Sequence, residues 1–383
     1  MRNFFFSIFC LFLLVGCYES IDHEPGITVV KEQRNQWKKE LELSGIRALA
    51  RNKENLYIGG NFQLIDENGK GYNYLARLNT SYKPVETPLR NFLFSGDGIN
   101  VLLFDYSISW NSPRIWVGGD FKAEYVNDPT IVAENLLYFL HNSSDPLHPN
   151  NRFFSIGGQN ERVDYLLDFD ERVFVGGHFS LNENGYTIKN GFEFDSQGLK
   201  QPISNWTDGK VTTVNEFSIA GINASNNEYY LKKRGANGWT DVEIFNPKSN
   251  FIKIKSIDNF LGGGRFPWMI SIEHEDKSQE VIQIDNTFSI VPSTRITSSS
   301  SVPLKLKRGG RNFLLVAFGK DVTVEGGRHQ SNVVAIIEEF DGSVFVQPLG
   351  NLQEAVYDII IFNNRLIAAT ETGLYSYNFS ELE

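Results

Sequence analysis

LYIGGNF (Leu56 to Phe62), IWVGGDF (Ile115 to Phe121) and VFVGGHF (Val173 to Phe179) are three copies of one phrase. Each has an aromatic residue between two aliphatic ones, then a glycine pair, one polar residue and a phenylalanine. Weaker copies follow as FSIAGINA (Phe217 to Ala224), FLGGGRF (Phe260 to Phe266), LLVAFGK (Leu314 to Lys320) and LIAATETG (Leu366 to Gly373). The small pair falls at positions 59, 118, 176, 220, 262, 317 and 368, and the six intervals average 51.5 residues. A glycine-rich mark recurring at such a period identifies a chain built from repeated supersecondary units that bury their faces on one another.

The flanking segments give each unit its strands. Ahead of the marks stand short apolar or alternating runs, IRALAR (Ile46 to Arg51), INVLLFD (Ile99 to Asp105), VDYLLDF (Val163 to Phe169), VTTVNEF (Val211 to Phe217), FIKIKSI (Phe251 to Ile257), LKLK (Leu304 to Lys307) and VYDIIIF (Val356 to Phe362). Third strands such as YLARLN (Tyr74 to Asn79) and fourth strands such as FFSI (Phe153 to Ile156) complete most units, with turn residues between them. The last unit ends one strand short, while WKKELELS (Trp37 to Ser44) has no unit of its own. This N-terminal segment is expected to supply the missing outer strand and close a ring without open edges. GGNF followed by YLARLN resembles the kelch, galactose oxidase-like and delta-60 β-propeller repeats. The resemblance implies an all-β, seven-bladed β-propeller. Six or eight blades are the alternatives, because the fourth copy is degenerate and Gly157-Gly158, Gly309-Gly310 and Gly326-Gly327 are out of phase. Such a fold hosts many activities, so the resemblance names no function. A glycine pair at a strand end is expected where no Cβ fits against a crossing strand, with the following Phe filling the wedge between blades.

Composition agrees with this reading. In 383 residues there are 33 Gly, 30 Phe and 15 Tyr against 2 Met, a balance that suits short strands and turns. Lys and Arg number 36 against 46 Asp and Glu, a net charge of −10, which excludes a nucleic-acid grip that depends on a basic face. At the N-terminus, Met1-Arg2-Asn3 precedes the twelve-residue apolar run Phe4 to Val15, the length of a signal-peptide core. Leu14-Val15-Gly16-Cys17 then resembles the bacterial lipobox. That resemblance implies a signal peptide over 1–16, lipidation of Cys17, a tether over 17–30 and a single propeller domain over 31–383. Cleavage would also remove Cys10 and leave no partner for a disulfide. Tyr18 after the Cys, in place of Asp, points by the same resemblance to the outer membrane. Glu19, Asp22 and Glu24 loosely resemble a surface-export signal, and both periplasmic and outward display stay open.

The chemical motifs are mostly negative. Six His show no HxH or HExxH spacing, so no metal and no cofactor is expected. A galactose oxidase-like copper centre would need a Cys beyond the lipidated one, and no G-x-S-x-G occurs. IDENGKG (Ile65 to Gly71) and LNENG (Leu181 to Gly185) read as turns, and TSSSS (Thr297 to Ser301) as a flexible connection. The variable residue of the glycine mark is polar each time, as Asn61, Asp120, His178 and Arg265, with Lys320 in the sixth copy, and these are expected to form a partial ring on one face. Trp110, Tyr125, Tyr186 and Trp268 are expected beside the loops, where amphipathic rings could stack on sugars or anchor a protein. Lys305, Lys307, Arg308 and Arg311 alternate with Leu304 and Leu306 and read as the wet face of a half-buried strand. The function expected is non-catalytic binding or scaffolding of a protein or glycan by a membrane-anchored ring. The alternatives are a carbohydrate-active enzyme with carboxylates at the propeller mouth and a structural subunit of a surface complex.

Overall fold

The computed structural model describes residues 27–29, 36–105, 113–141, 145, 147–148, 151–156, 161–169, 172–183, 186–195, 198–199, 210–214, 218–222, 229–235, 238–241, 251–258, 268–284, 290–308, 314–324, 329–338 and 344–378. Almost all of these lie in strands, and the one helical element among them is the 3-10 turn Pro88–Asn91. No helix among the described residues is long and apolar enough to cross a membrane.

The strands assemble into antiparallel meanders of four. The first is Ile46–Arg51, Leu56–Ile65, Gly71–Leu78 and Pro84–Val85; the second is Phe92–Asp105, Arg114–Tyr125, Asp128–Leu140 and Arg152–Ser155. The third runs Arg162–Phe169, Arg172–Glu183, Tyr186–Asp195, Gly198–Leu199, and the fourth Lys210–Val214, Ser218–Ile222, Tyr229–Gly235, Gly238–Asp241. The fifth (Phe251–Asp258, Trp268–His274, Gln279–Ile284, Ile290–Ser298) and sixth (Lys305–Arg308, Leu314–Val324, His329–Glu338, Val344–Pro348) are fused into one larger sheet, because Ile296 to Ser298 pair with Val322 to Val324. In the seventh, Val356–Phe362, Arg365–Thr370 and Gly373–Asn378 take Lys38–Glu42 as their outer strand. The first strand of each unit packs against a strand of the next, and Val356–Phe362 packs against Ile46–Arg51, so the units form a closed ring: a β-propeller.

The N-terminal closure is the one expected from the missing strand. Its seam is tied by side chains as well as by the ladder. The indole of Trp37 donates to the Leu349 carbonyl at 2.9 Å and its ring lies 5.3 Å from that of Tyr377. Glu40 accepts from Arg365 at 2.8 Å and from the Ser376 hydroxyl at 2.7 Å. Further upstream, Ile27–Val29 runs parallel to Val344 to Val346 at the outer edge of the sixth unit, so a strand lies within the stretch expected as tether. Burial works to raise the Glu40 carboxyl, and the Ser376, Lys38 and Arg365 groups outweigh it and hold the carboxyl below its ordinary 4.5. A folded-state value below the unfolded one gives stability that is present above pH 4.5 and lost as pH falls through the folded value. Glu40→Gln is therefore expected to cost about 1–2 kcal/mol at pH 7, and the gap to the parent should narrow as pH falls below 4.5. Thermal melts at both pH values check this, and a gap that does not depend on pH would refute the assignment.

The core is distributed as wedges between units. One wedge joins Tyr57 and Leu75 of the first unit to Phe92, Ile99 and Phe121 of the second. The next sets Trp116 and Tyr138, 4.4 Å apart at their centroids, against Phe179, Phe192 and Phe194 of the third. Strands between two such wedges are apolar on both faces, as in Leu56 to Gly60, where all five residues are buried. The aromatic excess is accounted for here, since wide wedges need large side chains.

The glycine pair has two different neighbours. A Cβ on Gly59 would meet Ile99 Cγ2 of the next unit at 2.6 Å, and one on Gly118 would meet Val163 Cγ1 at 2.6 Å. A Cβ on the second glycine would instead strike backbone of its own unit: Gly60 meets the Gly45 carbonyl oxygen at 1.9 Å, and Gly119 meets that of Gly98 at 2.3 Å. Phe62, Phe121 and Phe179 are buried in the wedge towards the preceding unit, as expected. FLGGGRF, VEIF (Val242 to Phe245) and the three out-of-phase glycine doublets lie outside the described residues.

One expectation is corrected. TSSSS was read as flexible, but Thr297 and Ser298 end a strand, and the buried side chain of Gln279 donates to the carbonyls of Ser300 and Val302 at 2.7 and 2.9 Å. The serines substitute for strand pairing at the junction of the fused sheet.

Candidate functional site

In the first four units the second small residue of the mark, Gly60, Gly119, Gly177 or Gly221, lies opposite a break in register on the inner strand; in the fifth Ile272, and not the FLGGGRF stretch, takes that place, and in the seventh Thr370. Gly60 pairs with Ile46 and Gly59 with Ala48, leaving Arg47 bulged out of the ladder. The same shift leaves out Asn100, Asp164, Thr212, Lys255 and Tyr357 in their units. In the sixth unit the ladder is unbroken, with Lys305 paired to Phe318; a Cβ on Gly319 would approach the Cα of Leu304, so Lys305 stands at the corresponding place in the strand without a bulge. A bulge bends the strand and re-aims the extra side chain. Here it repeats around the axis, on the face where every inner strand begins, hereafter the upper face.

Inside this ring is a cavity of about 430 Å³. Among the described residues its lining comes mainly from the inner strands of the first, second, third, fifth, sixth and seventh units, and includes the bulge residues Arg47, Asn100, Asp164 and Lys255, with Lys305 of the sixth. Further along the same strands are Arg51, Tyr165, Lys307, Arg308, Asp258 and Asp358. Six cations and three carboxylates thus line it, in a chain whose net charge is −10.

The carboxylates are held in ion pairs or by backbone amides. Asp358 accepts from Lys307 at 2.6 Å and from the amides of Leu49 and Ile359 at 2.8 Å each. Asp258 faces Arg308 at 3.4 Å, and Asp164 faces Arg162 at 3.0 Å. Lys255 pairs with Glu273. Lys305 differs: it donates to the Tyr357 carbonyl at 3.2 Å and has no carboxylate within ion-pair distance. It keeps exposed surface because it faces the cavity, yet protein surrounds it. Desolvation pulls its ammonium below the ordinary lysine value, partly opposed by Asp358. Arg47 donates to the Asp97 carbonyl at 3.1 Å, and Arg51 makes no hydrogen bond or ion pair among the described residues.

Of the candidate binding residues, Asn61, Asp120, His178, Tyr125, Tyr186 and Trp268 are described, and none of them is among the residues lining this cavity. Asn61, Asp120 and His178 take equivalent positions on the second strands, Asp120 opposite Gly98 and His178 opposite Arg162, with the Asn61 amide bonded to the Gly45 carbonyl. They form part of a ring on the upper face, one strand outside the bulge ring. Burial raises the Asp120 carboxyl above the ordinary range, and Asp97 and Asp164 add to the effect. Lys320 is half-buried in the sixth unit, and its carbonyl accepts from the Ser298 hydroxyl at 2.6 Å. Tyr125 is half-buried with its ring 5.3 Å from Phe92. Tyr186 opens the third strand of its unit opposite Glu183. Trp268 corrects the expectation of exposure: it begins a strand inside the fifth unit and is 6% exposed. Arg265, Trp110 and Cys17 lie outside the described residues.

The lysines of LKLK were visible as a wet strand face, and the structure turns that face into the cavity. Arg47, Asn100 and Asp164 were missed. Their signal is a polar residue in second place in each inner strand (IRA, INV, VDY, VTT, IKS, LKL, VYD), which emerges only when the seven strands are aligned on their glycine marks. A second missed signal is structural. Asn135 and Asn190 adopt positive φ of 66° and 62°, and each side chain accepts the amide of the marked Phe, from Phe121 at 3.0 Å and Phe179 at 3.1 Å.

Fold and cavity together define a β-propeller whose axial cavity carries charged side chains among apolar ones. No protein-family model matches the chain, and no curated protein matches it. Among solved structures it is similar to PorZ, a surface component of the type-IX secretion system of Porphyromonas gingivalis, at 13% identity and a TM-score of 0.45, over 90% of this chain and 38% of PorZ. The chain therefore spans less than two fifths of that protein's length. It is also similar to the WD40 domain of Toxoplasma gondii coronin, at 10% identity and a TM-score of 0.46 over 92% of this chain and 87% of that one. The WD40 propeller of Doa1 is 12% identical with a TM-score of 0.43, over 90% of this chain and 96% of that one.

Proposed function

We propose that this protein is a seven-bladed binding propeller, lipid-anchored through Cys17 at the outer membrane, that recognises a ligand without transforming it. The observation that supports this most is the axial cavity. It has the size of a small-molecule site, its lining sets charged side chains against apolar ones and differs from unit to unit, and its carboxylates are tied into ion pairs that fix the walls. A rigid ring that presents variable residues from bulges is suited to recognition, since the bulge residue can change without disturbing the wedges that hold the ring. In this reading Asn61, Asp120 and His178, with Tyr125 outside them, form the rim that a ligand crosses on entering.

The test is binding by the full chain in neutral detergent, on a glycan array and by co-purification. It is set against Asn100→Trp, which places a large ring at a bulge position lining the cavity and outside the core. Loss of binding by about tenfold or more with an unchanged melting temperature is the expected result. Binding that ignores the substitution would place recognition elsewhere.

One observation favours a second reading. The raised carboxyl of Asp120 beside Asp97 and Asp164 is an arrangement that could serve acid/base hydrolysis of a glycan. Release of reducing ends from a polysaccharide, abolished by Asp120→Asn, would establish that reading and displace the first.

A further inference from the structure

The cavity's charge is the feature that binding alone does not explain. Burying cations in a protein-lined space is unfavourable unless each meets an opposite charge. Asp358 and Asp258 answer Lys307 and Arg308, and Glu273 answers Lys255. Among the described residues the half-buried Lys305 and Arg51 meet no carboxylate, while Arg47 beside them is exposed and donates to a backbone carbonyl. The described inner strand of the fourth unit, Lys210–Val214, reads KVTTV and brings no acidic residue. In a chain that is acidic as a whole, this is a local reversal of sign. It is the arrangement that draws an anion inwards, because low-dielectric walls concentrate the field of the charges that line them.

We propose that the axial cavity is an oxyanion site, at which Lys305, with Arg51 and Arg47, takes the carboxylate or phosphate group of a small organic ligand of about sugar size. This rests on the cavity being the recognition site, and it adds the class of ligand. An ammonium donates up to three hydrogen bonds and Lys305 makes one to protein, so two directions remain for the oxygens of an anion. Hydroxyls on the rest of such a ligand can meet Asn100 and Tyr165 in the same cavity. Burial disfavours the charged form of Lys305 and a bound anion would favour it, so affinity should weaken as pH rises and as salt is added.

The test is calorimetric titration of the full chain in neutral detergent with four probes of one size. Glucuronate and glucose 6-phosphate carry the two candidate anionic groups, glucose carries none, and glucosamine carries a cation. The expected result is binding of one or both anionic sugars, which tells carboxylate from phosphate, with glucose and glucosamine at least about tenfold weaker. Lys305→Gln should weaken the anion by about tenfold or more, whereas Lys122→Gln, at an exposed ion pair with Glu124, should leave it unchanged. Equal binding of glucose, no binding of either anion, or an unchanged affinity in Lys305→Gln each overturns the proposal. A ligand of any kind that survives Lys305→Gln and is lost in Asn100→Trp removes the anion and keeps the cavity as the binding site. One indifferent to both removes the binding reading as well.

Discussion

A chain that starts at Ser44 is expected to lose its folded monomer. It lacks Lys38–Glu42, so Gly373–Asn378 becomes an open edge, and Trp37 and Glu40 no longer join the ends. Leu374 and Tyr377, fully buried in the intact ring, lie on that edge strand. An uncovered edge bearing apolar residues pairs with other chains, so size-exclusion chromatography should show oligomers or aggregate in place of a monomer. Refolding with a synthetic peptide covering residues 36–43 should restore the monomer by adding a strand in trans. A truncated chain that melts as cooperatively as the parent, with no gain from the peptide, would show that the seam does not hold the ring shut.

The second large effect is a graded series at the glycines. Alanine at Gly60 places a Cβ 1.9 Å from a backbone oxygen, at Gly119 and Gly177 2.3 Å, and at Gly319 3.2 Å; at Gly71 nothing lies within 4 Å. Backbone cannot yield as a side-chain tip can, so Gly60→Ala should cost about 3–5 kcal/mol and abolish folding in a marginal background. Gly119→Ala and Gly177→Ala should cost somewhat less, Gly319→Ala about 1 kcal/mol, and Gly71→Ala close to nothing. Urea midpoints measured across the series check the order. Gly60→Ala within about 1 kcal/mol of Gly71→Ala would mean that the bulge backbone moves aside, and the account of the second glycine would fail.

These glycines also explain why the fold could be read from the sequence. A pair in which one glycine faces the next unit and the other faces its own bulge satisfies two steric demands at once, and few other residues fit either. The phrase is therefore conspicuous. Where the demand relaxes, as at Gly319 with its 3.2 Å contact, the phrase decays to AFG and the copy becomes weak. The cavity was far less legible. Ile46-Arg47-Ala48 and Leu304-Lys305-Leu306 look like any strand with one wet face, and nothing local tells water outside the molecule from water on its axis. The polar residues of the glycine mark drew notice because they break an apolar phrase, yet they lie one strand out from the lining. Trp268 misled because glycines and a proline precede it, although the strand begins at the Trp itself.

The recurring bulge has a last consequence. The bulge recurs in six of the units, but the residues at that place, with Lys305 at the corresponding point of the sixth, do not repeat: in chain order they are Arg47, Asn100, Asp164, Thr212, Lys255, Lys305 and Tyr357. Positive charge gathers in the fifth, sixth and first units, and the single negative charge stands in the third, on the far side of the axis. A circular scaffold thus acquires a compass direction. A guest with unlike ends has one favoured bearing within it, so a symmetrical frame achieves an oriented grip.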